Sequence, residues 1–240
     1  MIIDVHNHIG LSAMGTLGRV DELLSIMKES HIDKAVIFPI DEIGQGKTYT
    51  PQNDKIITLV KEYPEQFLGV CRVRPTAGEA ALEEMHRCKE LGFLGVKFHP
   101  KSDQFVPEDA LPMIALARDF DWPIVLHSEH LPQAHPLEWE DTFKNFPEVN
   151  FILTHGGKDA WPEVARIASE LNNVYLDTST LSYNRTRMLL EKAGYEKIVF
   201  GSDYPYSHPE LELRKYQLLV KDPHQLDQIF FKTTQALFKF

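Results

Sequence analysis

The chain has 240 residues, 43% of them hydrophobic and 25% charged, a composition ordinary for a globular protein and sufficient for a substantial core. Its 25 Lys and Arg against 35 Asp and Glu leave a formal charge of -10, which disfavours a generic role in binding nucleic acid or anionic membrane. Apolar runs such as residues 123–126 and 198–200 fall far short of the ~20 residues that a membrane-spanning helix needs.

In chain order, β-rich runs occur at residues 2–6, 34–38, 68–73, 94–98, 123–127, 150–154, 174–177 and 198–202. Segments with helical apolar spacing separate them, for example Leu23, Leu24 and Met27, then Ile114, Ala117 and Phe120. Several runs are almost wholly hydrophobic, as in parallel strands covered on both faces. Units of strand and helix at roughly 30-residue intervals fit a (β/α)8 TIM barrel of parallel strands, here expected as a single domain over 1–240. An open doubly wound sheet has the same local signature. Position within the strands favours the barrel, because the chemically distinctive residues cluster at their carboxyl ends, where barrel enzymes place their sites. Near the end of the chain, Phe230, Phe231, Leu237 and Phe238 predict a helix closing the bottom or flank of the barrel.

Strand alternation sends Asp4, His6 and His8 to one side and Ile3, Val5 and Ile9 to the other, so both imidazoles are expected to point inward. H-x-H alone is a weak signal. The same inward parity is expected for Val125 with His127, Leu153 with His155, and Gly201 with Asp203. Four strand ends thus offer imidazoles and a carboxylate to one mouth, a set that is hard to satisfy as independent core groups.

The motifs D-V-H-N-H at the start, L-H-S-E-H after the fifth strand, T-H-G-G after the sixth and F-G-S-D-Y-P after the eighth resemble the amidohydrolase superfamily. The branch most resembled includes aminocarboxymuconate-semialdehyde decarboxylase, and the resemblance runs from His6 to Asp203. It implies a divalent metal, zinc first, on His6, His8, His127 and Asp203. It further implies that His155 sits beside the water that the metal activates, with Asp203 as general base. Lys97 leaves two arrangements open. Carboxylated, it would bridge two metals with His155 as a further ligand; unmodified, beside the single ion that the branch favours, it would hold a substrate carboxylate or phosphate.

His99 shares parity with Lys97 and either lines the pocket or faces solvent in a turn. Arg74 either holds an anionic substrate group or closes a salt bridge at the mouth. Glu129 and His130 are explained by a surface loop or by reach into the site. Asp177 is expected to brace a ligand or a loop. His31, His86, His135, His208 and His224 are expected at the solvated surface, and Tyr49, Trp139 and Trp161 packed under loops. Segments 7–16, 41–51, 101–107 and 128–139 should border the pocket.

The expected activity is hydrolysis of an amide, lactone or ester of a small molecule, with non-oxidative decarboxylation as the alternative and a non-catalytic barrel, metal-stabilised or binding a sugar or protein, as a third reading. Decarboxylases of the family generally carry larger insertions than 240 residues hold, which argues for hydrolysis. Cys71 and Cys88 lack metal or redox spacing, and no basic stretch opens the chain, so a cytoplasmic protein with reduced cysteines and no signal peptide is expected. A small-molecule substrate is the expected partner, with a homo-oligomer as the default assembly.

Overall fold

The computed structural model describes residues 1–41, 46 and 48–240. Its strands are β1 (Ile3–Leu11), β2 (Leu17–Gly18), β3 (Lys34–Pro39), β4 (Phe67–Gly69), β5 (Cys71–Arg72), β6 (Val96–Phe98), β7 (Ile124–Leu126), β8 (Phe151–Leu153), β9 (Val174–Asp177) and β10 (Ile198–Val199). They form two runs, β2-β1-β3-β4 and β10-β9-β8-β7-β6-β5, parallel throughout apart from the short antiparallel β2. The predicted third strand is interrupted at Val70, yet its backbone joins the runs: Val70 N donates to Ile37 O at 3.1 Å and Cys71 N to Gly95 O at 3.0 Å. On the other side Val5 N donates to Phe200 O at 2.9 Å and His8 N to Tyr204 O at 2.7 Å. These seams make a (β/α)8 barrel.

A helix follows each barrel strand. The one at Trp161–Glu170 shows why: Pro162 occupies its first turn, and Val164, Ala165, Ile167 and Ala168 fall on one buried face. Burying a Val or Ile side chain contributes about 1.5–3 kcal/mol, so this face rather than helix propensity holds the element.

Alternation in the strands divides the core. Ile124 and Leu126 pack outward under the helices, whereas Val125 joins an interior cluster with Val36, Phe38, Leu68, Val70, Ile152 and Val199. Leu237 and Phe238, from the helix Thr233–Phe238, pack into this interior cluster, while Phe230 packs in the outer one.

The inward parity expected for two strands is corrected. Val5, expected outside, belongs to the interior cluster, because the β1–β3 register slips between Asp4 and Asn7. The extra residue there re-aims the rest of the strand, and His6 still reaches the mouth. Leu153 packs outward, so alternation does not deliver His155. The strand has already ended, and His155 turns in through a left-handed backbone, φ 59°.

Among the described residues, no helix is long and apolar enough to cross a membrane. Cys71 and Cys88 are buried and unbridged.

Candidate metal centre and active-site cavity

Three side chains meet at the carboxyl end of the barrel. His6 Nε2 lies 3.2 Å from His8 Nε2 and 3.1 Å from Asp203 Oδ1, and His8 Nε2 lies 3.3 Å from the same oxygen. Among the described residues, this is the one group whose donor atoms all lie within 4.8 Å of one another. Asp203 is delivered from beyond β10 by a positive φ of 66°, with its N–H donating to His6 O at 2.8 Å. Gly201 makes room for the contact: a Cβ there would lie 2.9 Å from Asp177 Cγ and 3.0 Å from His6 Cβ.

The electrostatics suit a cation. Burial pushes His8 down to about 4, so near neutral pH its ring is uncharged. For Asp203, burial would favour the acid, but His6 and His155 outweigh it and hold the carboxyl well below its usual range. His6 also loses charge stability to burial, yet Asp177 and Asp203 raise its pKa overall. Asp177 Oδ2 lies 2.6 Å from His6 Nδ1, which makes Nδ1 the donor and leaves the Nε2 lone pair facing the carboxylate and His8. Three atoms able to ligate a metal thus converge on one point, close enough for a single divalent ion, although an imidazole N–H donating to Asp203 would also satisfy the contact.

His155, also buried, has its Nδ1 3.1 Å from Ser179 Oγ and 4.0 Å from Asp203 Oδ2. Burial drives its pKa well below the ordinary imidazole value. The two glycines after it are structural requirements. A Cβ on Gly156 would lie 2.5 Å from Leu189 Cδ1, and one on Gly157 2.5 Å from Val164 Cγ2.

His127 reaches the same mouth without joining the tight group. Its Nε2 lies 3.1 Å from Glu129 Oε1, and its ring stacks on His99 with centroids 3.8 Å apart. Glu129 is buried, not part of a solvated loop, whereas His130 is exposed. Lys97 is fully buried, its Nζ without a hydrogen-bond partner among the described residues and 4.9 Å from the Phe38 ring centre. Burial pushes its pKa down to about 7.

A cavity of about 370 Å³ opens above these groups, lined by His8, His99, His127, His155 and Asp203 among others. Arg74 does not line it and instead lies 3.5 Å from Asp103 Oδ1, above the Tyr49 ring. Sequence reasoning missed its neighbour Arg72, which is wholly buried and ion-paired to Asp103 and Asp41. It also missed Asp41, Lys101, Lys158, Thr180 and Tyr206 as individual wall residues. Lys101 and Lys158 carried a usable signal, since each follows a strand-end histidine by two or three residues. Of segment 41–51, expected at the rim, residues 42–45 and 47 lie outside the described residues. His31, His86, His208 and His224 are exposed and His135 is half-buried; His135 and His208 cap helices. Tyr49 and Trp139 are buried in packing.

Residues 3–240 match the family model described as amidohydrolase. The chain belongs to the amidohydrolase family. This amidohydrolase is 25% identical to a 2-keto-4-carboxy-3-hexenedioate hydratase from a Sphingobium species, over 75% of this chain and 67% of that protein. It is 20% identical to a 2-amino-3-carboxymuconate-6-semialdehyde decarboxylase from Dictyostelium discoideum, over 66% of this chain. It spans 56% of the length of that decarboxylase. Its fold matches the crystal structure of 5-carboxyvanillate decarboxylase from Novosphingobium aromaticivorans, complexed with manganese and a nitrobenzoic acid. There the TM-score is 0.78 at 16% identity, covering 100% of this chain and 96% of the other.

Proposed function

We propose that this amidohydrolase is a divalent-metal-dependent enzyme that hydrolyses an amide, lactone or ester in a small carboxylated molecule. The observation that carries the reading is the convergence of His6 Nε2, His8 Nε2 and Asp203 Oδ1 within 3.3 Å of one another. These three residues would hold the ion, and His127 would add a donor after release from Glu129. Zinc suits a nitrogen and oxygen set, and the manganese in the decarboxylase structure makes that ion the second candidate. When bound, a divalent ion supplies Lewis-acid polarisation of a carbonyl and lowers the pKa of a coordinated water.

The chain's own groups do the rest. Asp203 Oδ2 accepts a proton from the attacking water, and His155 Nδ1, 4.0 Å away, relays it to the leaving atom. Ser179 Oγ, 3.1 Å from that nitrogen, orients the ring. Lys97 is buried behind the cavity wall rather than on it, so its Nζ, without a hydrogen-bond partner among the described residues, would act on a substrate carboxylate as a nearby positive charge, while His99 lines the cavity itself. Arg74 is tied to Asp103 and supports the wall from outside the cavity.

Non-oxidative decarboxylation is the second reading, favoured by the same Lys97 amine and by the decarboxylase names among the relatives. Chain length does not weigh against it, because the chain aligns over 96% of a decarboxylase of this fold. Purified protein loaded with zinc or manganese and given ester, lactone, amide and carboxylated aromatic substrates tests both. Water addition supports the first reading, and carbon dioxide release without hydrolysis replaces it with the second. Failure of folded protein to take up any divalent metal sinks both.

A further inference from the structure

Outside the metal-facing floor of the cavity, its rim carries two lysines that the proposed chemistry does not use. Lys101, on the short helix Pro100–Asp103 after β6, has its Nζ 3.0 Å from Glu129 Oε1. Lys158, in the segment Thr154–Ala160 after β8, has its Nζ 3.6 Å from Glu129 Oε2. Glu129 lies between them, beyond β7, so three consecutive strand ends contribute to one cluster. Each lysine takes a different oxygen of one carboxylate.

Two cations and one anion leave a surplus positive charge at the rim of a chain whose formal charge is -10. Among the described residues, the other cavity carboxylates do not cancel it. Asp41 pairs with Arg72 and accepts from Ser102 Oγ at 2.6 Å, and Asp203 faces imidazoles. Each ammonium has three donors, and Glu129 engages one from each. The lysine side chains are 49% and 36% exposed while that of Glu129 is 4% exposed, so the carboxylate is enclosed and the remaining donors are open to the cavity. Lys158 is held at φ 51°, a conformation costly for a residue with a Cβ, which fixes where its side chain departs.

We infer that Lys101 and Lys158 bind a second carboxylate of the substrate, distal to the reacting group, and make the enzyme selective for dicarboxylates. The inference rests on the proposed metal site only in taking the cavity floor as the reacting end. The pair cradles Glu129 as it would cradle a ligand carboxylate, and the cavity has the volume for a small ligand reaching from floor to rim.

Calorimetric titration of manganese-loaded protein with benzoate and with benzene-1,3-dicarboxylate tests it. The wild type is expected to bind the dicarboxylate about tenfold more tightly, and the double variant Lys101→Met, Lys158→Met to lose that preference while keeping its benzoate affinity. A wild type without the preference, or a double variant that retains it, overturns the inference. Lysines that merely neutralise Glu129 would change stability without changing the ratio. Metal content, measured on the same samples, separates this outcome from the metal-site reading: an absent metal refutes that reading, whereas a full metal complement with no dicarboxylate preference refutes only the lysine pair.

Discussion

Asp177 Oδ2 accepts from His6 Nδ1 at 2.6 Å, and this contact decides which imidazole nitrogen faces the cavity. Both residues are fully buried, and Ser179 N donates to the other Asp177 oxygen at 2.5 Å, so the carboxylate cannot rotate freely. Burial alone would raise the pKa of Asp177, but His6 outweighs it and holds the carboxyl down at about 2. The carboxylate is therefore charged at every pH where the protein would work. Asparagine at 177 keeps the shape and removes the charge. Asp177→Asn is expected to lower divalent-metal affinity about 10–100-fold, as loss of such a partner typically does. Competition with a chromogenic chelator measures it, and unchanged affinity would mean that His6 is not a ligand.

The donors themselves are expected to differ in weight. His6 and His8 meet Asp203 directly, whereas His127 is engaged by Glu129. Elemental analysis after dialysis should find no bound metal in His8→Ala. In His127→Ala it should find weakened but measurable binding. Full occupancy in the second variant would remove His127 from the ligand set.

Stability of the metal-free protein should fall as pH drops from 7 to 5. His8 and His127 are pushed by burial from an ordinary value of 6.5 to about 4, and His99 and His155 lie well below 6.5 for the same first reason. Below about pH 6.5 the unfolded chain binds protons on these rings that the folded chain refuses, so the folded state loses free energy as pH falls. For His8 and His127 the full effect, reached near pH 4, is on the order of 3 kcal/mol each. Asp4, raised to about 7 chiefly by burial, acts in the opposite direction, as does the raised His6. Four depressed imidazoles outnumber these two, which sets the sign. The urea midpoint is expected to be lower at pH 5 than at pH 7, and a flat or rising midpoint would contradict the burial of these rings as neutral groups.

What could be read from the chain and what could not divides along physical lines. Runs such as Ile124 to Leu126 announce buried parallel strands because both faces must be apolar, and the polar residues at their carboxyl ends favour the barrel over an open sheet. Local alternation fails where the backbone leaves the regular strand. The register slip between Asp4 and Asn7 and the left-handed turn at His155 are set by pairing with β3 and by packing against Leu181 and Leu189, none of it adjacent in sequence. Asp177 was legible as a brace from its place at a strand end. Glu129, Lys101 and Lys158 were not legible as a cluster, because their meeting depends on the relative height of three separate loops.

Gly156 offers a test of that left-handed turn. Its φ is 46°, and an added Cβ would lie 2.5 Å from Leu189 Cδ1 and 2.9 Å from Leu181 Cδ1. Gly156→Ala must shift both leucines or the turn, and is expected to cost about 1–3 kcal/mol. A thermal melt reads the loss directly. A variant as stable as the wild type would mean that the turn after His155 is not packed in this way.

Metal binding and proton transfer should separate at His155. The residue stands outside the tight three-donor group, yet its Nδ1 lies 4.0 Å from Asp203 Oδ2 and 3.1 Å from Ser179 Oγ. If it moves a proton in the transition state, its removal acts on turnover rather than on metal content or ground-state binding. His155→Gln is therefore expected to lower kcat about 10²–10⁴-fold, the usual contribution of a positioned acid or base, with KM nearly unchanged. Elemental analysis of the same preparation should still find the ion. Loss of the metal together with activity would instead make His155 a ligand, and would revive the two-metal arrangement in which a carboxylated Lys97 bridges the ions.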